Sequence, residues 1–243
     1  MNLSIVLFAW KLSPTLLQPS LWTLSHQTTA PLEIVFVNTS PDSDVSAAYQ
    51  NECAKYPLVR CITATQEKLN LSKSLNIGIR NTSPLADYVM TTSVEMLFSS
   101  NLLETLEVIM TPDVIGETPR GDLPIGYEWG NVETLYDRWP EFTAHCLTPI
   151  HKRSPGAVIC IRRDWWFEVR GYDEVNTPYN YNDSDLLSRA EASGLRSIPI
   201  PWEVCQVLHL GHPRSPEYNS ITSRIPHGEV VDLIRNDEHW GEP

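Results

Sequence analysis

The chain alternates between continuous apolar runs and segments whose apolar residues recur at helical spacing. Residues 4–9 and 33–37 are continuous β-prone runs, which are typical of strands buried on both faces of a parallel sheet. Between them, residues 14–27 place leucines at near-helical spacing after Ser13 and Pro14, which indicates a helix. Together these segments predict a β-α-β unit with a right-handed connection.

The same alternation continues beyond this unit. It predicts helices over residues 44–55, 72–81 and 102–109, and strands over residues 59–62 and 88–91. Such a pattern predicts an α/β fold with a mostly parallel central sheet, helices on both faces, and ligands bound beyond the carboxyl ends of the strands. Functional side chains are therefore expected directly after strands.

The second half of the sequence is less regular. Residues 111–154 are rich in Pro, Gly, Trp and Tyr and predict a long irregular segment, a feature that often carries function. Beyond it the pattern predicts a strand over 156–161, helices over 163–169 and 183–193, and a late strand over 203–208. Because no linker interrupts the chain, one domain is expected over residues 1–243.

Composition narrows the class of protein. The chain is 42% hydrophobic and 20% charged, which indicates a folded globular protein rather than a disordered one. Its net charge of −12 argues against general binding to nucleic acid or to an anionic membrane. The apolar stretch at residues 3–10 is too short to span a bilayer, and the five scattered cysteines form no Cys-x-x-Cys pair. We therefore expect a soluble, cytoplasmic protein; its oligomeric state is left open.

Two short segments carry the clearest chemical signal, the turn at residues 171–174 and the predicted helix start at residues 182–189. Asp183 and Asp185 lie two residues apart at this helix start, where exposed amides favour negative charge. Helix capping is an alternative role and explains Asp185 well. Asp183 lies further out beside the preceding loop and is the better candidate for a general base.

These segments resemble the inverting family 2 glycosyltransferases and the related β-1,4-galactosyltransferases, which carry a Gly-Phe-Asp-Glu turn followed by Glu-Asp-x-Asp-Leu-x-x-Arg. The resemblance implies a GT-A domain that transfers a sugar from a nucleoside-diphosphate sugar, with UDP the expected nucleotide, to a glycan or other acceptor hydroxyl with inversion. It implies Asp183 as the general base and includes Asp185 among the catalytic carboxylates. Asn182 replaces the family's usual Glu on the acceptor side.

The resemblance covers nearly the whole chain, including residues 236–241. It implies a nucleotide-sugar-binding half over residues 1–98 and an acceptor-binding and catalytic half over residues 99–243. Asn38 stands where the family has an Asp that contacts the base or ribose. The donor-binding residues that the resemblance implies are Ala9, Asn38, Asp42, Lys73, Asn76, Ser93, Val94 and Arg214.

A divalent metal, Mn²⁺ or Mg²⁺, is implied by the same resemblance. Ser93-Val94-Glu95 occupies the place of the family's Asp-x-Asp, so Glu95 keeps one oxygen ligand while Ser93 has no charge. A simple strand-end turn is the alternative. His209 and His212 follow the late strand and could supply a further ligand, with the resemblance slightly favouring His209. A histidine pair in a loop can equally be a surface or packing feature.

Aromatic residues crowd the irregular middle and the approach to Asp183. Because sugars stack their C–H faces on aromatic rings, we assign Trp129 and Tyr181, together with Asn182, to an acceptor cleft. Trp165 and Trp166 are divided between packing and the site.

Two rival functions remain at this level. A non-catalytic nucleotide-sugar-binding or glycan-binding protein of the same fold is suggested because Asn38, Ser93 and Asn182 stand where acids are expected. A nucleotidyltransferase would require a glycine-rich phosphate loop near the first strand, and residues 9–12 contain no glycine.

Overall fold

The structure is a computed structural model that describes residues 1–147, 156–175, 182–213 and 232–243. The strands are β1 Leu3–Ala9, β2 Glu33–Asn38, β3 Val59–Thr63, β4 Tyr88–Thr91, β5 Met96–Phe98, β6 Val114–Glu117, β7 Arg120–Asp122, β8 Ile159–Arg162, β9 Arg196–Pro199 and β10 Val207–His209. The α-helices are α1 Leu17–Ser25, α2 Ser43–Cys53, α3 Leu71–Arg80, α4 Leu102–Ile109, α5 Trp139–Ala144, α6 Arg163–Glu168 and α7 Asn182–Ala192.

Seven strands form the main sheet, in the order β3-β2-β1-β4-β8-β6-β9. The first four are mutually parallel, and β6 is parallel to β9. Strand β8 runs antiparallel to both of its neighbours, β4 and β6. The predicted mostly parallel α/β sheet is therefore confirmed. The residues that follow β1, β2 and β4 share one edge of the sheet, where ligands of such folds bind.

Both faces of this sheet are covered. All seven residues of β1 are buried, which explains the continuous apolar run. Ile5 lies in one core cluster, on the same side as residues of α1 and α4, and Val6 lies in the other, with residues of α3, α6 and α7. Helix α3 packs so closely on the sheet that a Cβ at Gly78 would collide with Val6. Gly78 is thus the residue type that allows this contact, despite its cost within a helix.

A second, three-stranded sheet has the order β5-β10-β7. Strand β10 is antiparallel to β5 and parallel to β7, with Leu208 opposite Leu97 and His209 opposite Asp122. Leu97 and Leu208 pack with Leu123, Leu135 and Phe142 in a third core cluster. This sheet lies at the point where the chain leaves β4, so it adjoins the binding edge of the main sheet.

The largest difference from the sequence analysis lies in residues 111–147, which contain β6, β7 and α5 rather than a continuous irregular segment. Strands β5 and β9 were also missed, and the late strand is shorter than predicted. Strands of three or four residues are too short to show a period, and their pairing partners are distant in sequence. No helix in the described ranges is long and apolar enough to cross a membrane.

Candidate active site

Three potential metal ligands meet where β5 begins and β10 ends. Glu95 immediately precedes β5, and its carbonyl accepts a hydrogen bond from the Leu210 amide at 2.8 Å. This pairing brings Glu95 beside His209 and His212, and one ligand atom from each of the three residues lies within 4.8 Å of the others. All three side chains are partly buried. Both histidines, rather than one, therefore join Glu95.

The Nδ1 atom of each imidazole faces an oxygen atom. His209 Nδ1 lies 3.2 Å from Asp122 Oδ1, and His212 Nδ1 lies 3.0 Å from the Pro213 carbonyl oxygen. When Nδ1–H donates to these oxygens, Nε2 keeps the free lone pair that a metal requires. Burial, aided by the positive charge of Arg120, lowers the pKa of His209 to about 4. His209 is therefore neutral, the form that ligates metals, across the physiological pH range.

Burial raises the pKa of Glu95, while His212 and a hydrogen bond with Ser93 act in the opposite direction. A carboxylate removed from water requires a compensating positive charge nearby. One carboxylate and two imidazoles form a donor set that fits a divalent ion. The residues present therefore fit the metal expected from the sequence, although Ser93 contributes no charge.

The predicted base lies in the first turn of α7. Asp183 packs so closely on Gly156 that a Cβ at that glycine would lie 2.5 Å from Asp183 Oδ2. Gly156 also has a φ of +93°, a backbone conformation that favours glycine. Burial and the negative charge of Glu117 raise the pKa of Asp183 to about 6, against the opposing effect of Arg120. A carboxyl with a pKa near neutrality is well suited to take a proton at physiological pH.

Arg120 connects the two parts of the site. Its positive charge opposes the effect of burial on the pKa values of Asp183 and Glu95 and adds to the lowering of the His209 pKa. Arg120 therefore lies within electrostatic reach of both the predicted base and the potential metal ligands. Arg120 Nε lies 3.0 Å from Asp122 Oδ1, and its side chain remains one-third exposed. Asp183 and the ligand set therefore belong to one electrostatic environment.

Four residues of this environment were not predicted from the sequence. They are Glu117, Arg120, Asp122 and Gly156. Glu117 is buried at the end of β6 and accepts a hydrogen bond from the Ser197 hydroxyl. Its position directly after the apolar run at residues 114–116 was the available signal, since functional side chains follow strands in α/β folds.

No family model matches the sequence, and no curated protein matches it. Solved structures do match the fold. A mannosyltransferase, PcManGT from Pyrobaculum calidifontis in complex with GDP-Man and Mn²⁺, superposes with a TM-score of 0.60 at 16% identity, over 84% of this chain and 56% of that one. GalNAc-T7 with UDP, GalNAc and Mn²⁺ superposes with a TM-score of 0.65 at 14% identity, over 96% of this chain and 47% of that one.

The chain has a GT-A fold. It spans about half the length of each of these two structures. At these identities the similarity establishes the fold alone.

Within this GT-A fold, Asp185 has a different environment from Asp183. Its Oδ2 accepts a hydrogen bond from Arg189 Nε at 2.8 Å, and its Oδ1 lies 3.2 Å from a terminal nitrogen of Arg235. Arg189 is fully buried and also donates to the Gly171 carbonyl at 3.0 Å. Since arginines engage both of its oxygens, Asp185 anchors α7. This contrasts with the expectation that it acts beside Asp183 in catalysis.

The amide side chains near the binding edge of the sheet also form hydrogen bonds to other groups of the protein. Asn76 Nδ2 donates to the Tyr172 carbonyl and to Glu174 Oε1, both at 2.8 Å, and Asn76 Oδ1 accepts from the Tyr172 amide at 2.8 Å. Asn182 Nδ2 donates to Ser72 Oγ at 2.8 Å. Asn76 thus fixes the turn at residues 171–174, and Asn182 ties α7 to α3. Their contacts with donor and acceptor stay predictions beside these internal hydrogen bonds.

The loop after β2 uses its polar groups in the same way. Asn38 is buried, donates to Ser46 Oγ at 2.6 Å and accepts from the Ser40 amide at 3.2 Å. Asp42 caps α2 by accepting hydrogen bonds from two amides of its first turn. The Asn38 amide is thus engaged within its own loop, and its contact with a nucleotide base stays a prediction.

The remaining residues predicted to bind donor or acceptor differ in their surroundings. The Ala9 carbonyl accepts hydrogen bonds from Thr39, and the Val94 carbonyl accepts one from Ser20 Oγ. Lys73 lies partly exposed in the first turn of α3. Arg214 and Tyr181 lie outside the described residues.

The three tryptophans considered from the sequence all pack in or against a core cluster. Trp129 is partly buried against the third core cluster, and its carbonyl accepts from Arg138 at 2.7 Å. Trp165 and Trp166 are buried, and their indole N–H groups donate to Ser193 Oγ and the Val89 carbonyl. Trp165 and Trp166 therefore belong to the core.

The contact between Gly156 and Asp183 yields a test that requires no substrate. Gly156→Ala should push the carboxyl of Asp183 toward solvent and lower its pKa from about 6, because less burial favours the charged form. Gly194→Ala is the matched control, since Gly194 has a similar φ of +94° with nothing within 4 Å of an added Cβ. Carboxyl ¹³C NMR titration measures both variants. An unchanged Asp183 pKa in Gly156→Ala would show that the contact does not set the environment of the base.

Proposed function

We propose that the protein transfers a sugar from a nucleoside-diphosphate sugar to an acceptor hydroxyl with inversion, and that Asp183 is the general base. The observation that carries this proposal is the position of Asp183 against Gly156 in the first turn of α7 in a GT-A fold, where burial and the charge of Glu117 raise its pKa to about 6. The proximity of a divalent-ion donor set in the same electrostatic environment supports it.

In the proposed reaction, Asp183 accepts the proton of the acceptor hydroxyl as its oxygen forms a bond to the anomeric carbon of the sugar. The bond from the anomeric carbon to the diphosphate oxygen breaks, and its electron pair leaves with the nucleoside diphosphate. Attack opposite the leaving group inverts the anomeric configuration. Positioning of the two substrates and proton removal provide the rate enhancement.

Glu95, His209 and His212 would hold the divalent ion. When bound, that ion would supply positive charge that neutralises the departing diphosphate. Mixed carboxylate and imidazole donors favour Mn²⁺ over Mg²⁺, which prefers oxygen donors in octahedral geometry. The structures of PcManGT and GalNAc-T7 both contain Mn²⁺, which agrees with this choice. The histidine pair would compensate for the carboxylate that Ser93 lacks.

We further propose a UDP-sugar donor, as in the family 2 enzymes, with a GDP-sugar as the other donor to test, since one structural neighbour contains UDP and the other GDP-Man. Trp129 and Tyr181 are the aromatic residues that we propose for the acceptor cleft. Because the Asn38 side chain is hydrogen-bonded to Ser46, we propose that other groups of the loop between β2 and α2 recognise the base. A non-catalytic binding protein is the second candidate function, because Asn38 is an amide where the family has an acid.

The Asp183→Asn variant tests the base. It should abolish transfer of a labelled sugar, because an amide cannot accept the proton, while the fold and binding of the nucleotide stay near normal. Asp185→Asn is the matched comparison on the same helix. It leaves the buried Arg189 short of a negative partner and should lower the free energy of unfolding by about 3 kcal/mol.

Transfer of the labelled sugar measures the loss of activity in Asp183→Asn, and denaturant unfolding measures the loss of stability in Asp185→Asn. Full transfer by Asp183→Asn would disprove the assignment of the base. Binding of nucleotide-sugars by the unmodified protein without any turnover would favour the non-catalytic alternative.

The pKa of Asp183 predicts the pH dependence of transfer. Because the base must be deprotonated, kcat/KM should rise as pH increases through about 6 and then level off, at saturating Mn²⁺. An unperturbed Asp, with its value of 3.8, would place the rise far lower. The measurement is a pH profile of initial rates from about pH 5 to about pH 8. A flat profile over this range would exclude a base of this pKa.

A further inference from the structure

We propose that Asp122 is a positioning residue that orients His209 for metal binding and is itself held in place by Arg120. This inference rests on the metal site of the proposed function. Neither the motif at residues 93–95 nor the histidine pair indicates it, because Asp122 lies in a strand that the sequence pattern does not reveal.

Strand pairing creates the contact. Strands β7 and β10 are parallel neighbours, and Asp122 lies directly opposite His209 in their register. Asp122 Oδ1 is 3.2 Å from His209 Nδ1. Because strand pairing fixes the backbone of both residues, the separation of their side chains is set by the fold rather than by a surface loop.

The contact determines which nitrogen of His209 can ligate a metal. An imidazole that donates Nδ1–H to a carboxylate has its lone pair on Nε2, and the negative partner makes that nitrogen a stronger ligand. His209 is the member of the donor set that has such a carboxylate partner among the described residues, since His212 Nδ1 faces the Pro213 carbonyl. Asp122 should therefore affect His209 first.

Arg120 fixes the carboxylate. Arg120 Nε lies 3.0 Å from the same Oδ1 atom that faces His209. The two residues are two positions apart in β7, so their side chains project from the same face of the strand. The arginine places a positive charge beside the negative charge of Asp122 in this half-buried place.

Mn²⁺ binding by the full chain tests this role directly. The free Mn²⁺ signal in electron paramagnetic resonance is followed during titration of the unmodified protein, Asp122→Ala and Asp122→Asn. Asp122→Ala should bind Mn²⁺ about 10- to 100-fold more weakly, which is the usual effect of losing such a partner. Asp122→Asn keeps an acceptor oxygen without the charge, so its affinity should lie between those of the other two proteins.

Asp113→Ala is the matched control. Asp113 also pairs with an arginine, Arg196 at 2.8 Å, but on the exposed surface of the protein. Its removal should leave Mn²⁺ affinity unchanged. A loss of affinity equal to that of Asp122→Ala would show a general charge effect and overturn the positioning role. If Asp122→Ala does not fold, Asp122→Asn decides the question.

The outcomes separate this inference from the metal site on which it rests. Equal Mn²⁺ affinity in the unmodified protein and both Asp122 variants overturns the role of Asp122 and leaves the metal site intact. An unmodified protein that binds no Mn²⁺ overturns both. A Glu95→Ala variant that binds Mn²⁺ as well as the unmodified protein places the ion elsewhere and also overturns both.

Discussion

The position of β10 between β5 and β7 is the constraint on which the metal half of the site depends. Glu95, Asp122 and His209 come from three distant parts of the sequence, and pairing of these short strands brings them together. The hydrogen bond from the Leu210 amide to the Glu95 carbonyl extends this pairing past the end of the strand. A slip of one residue in the register of β10 would turn His209 to the opposite face, so the ligand set exists only with this register.

The part of the site around Asp183, the proposed base, depends on a different constraint, the partial removal of a carboxyl group from water. Asp183 rests on Gly156 and shares its surroundings with the buried Glu117, so its ionised form is disfavoured in the folded protein. Because the folded-state pKa is raised, this group stabilises the fold at low pH and costs stability as pH rises through about 6. Arg120 limits that cost. Asp185, two residues along, pairs with the buried Arg189 and anchors α7, whereas Asp183 has the environment proposed for the base.

Much of the fold could be predicted because long elements carry their own pattern. The apolar runs of β1 and β2 are buried on both faces. The family resemblance indicated Glu95, and the rule that functional groups follow strands indicated His209 and His212. The network around Arg120 and Asp122 could not be predicted, because β7 has only three residues. The residues that Asp122 contacts are set by pairing of β7 with β10, which lies far along the chain. Asn38 and Asn76 were assigned by family position, and only the structure shows that their amides are satisfied by nearby protein groups.

The central claim is that one base, Asp183, promotes a single displacement at the anomeric carbon. The most direct test is the anomeric configuration of the first product formed from a UDP-sugar or GDP-sugar with Mn²⁺, read by proton NMR before the product can equilibrate. A single displacement predicts a product whose configuration is opposite to that of the donor sugar. A product with the configuration of the donor would contradict the account.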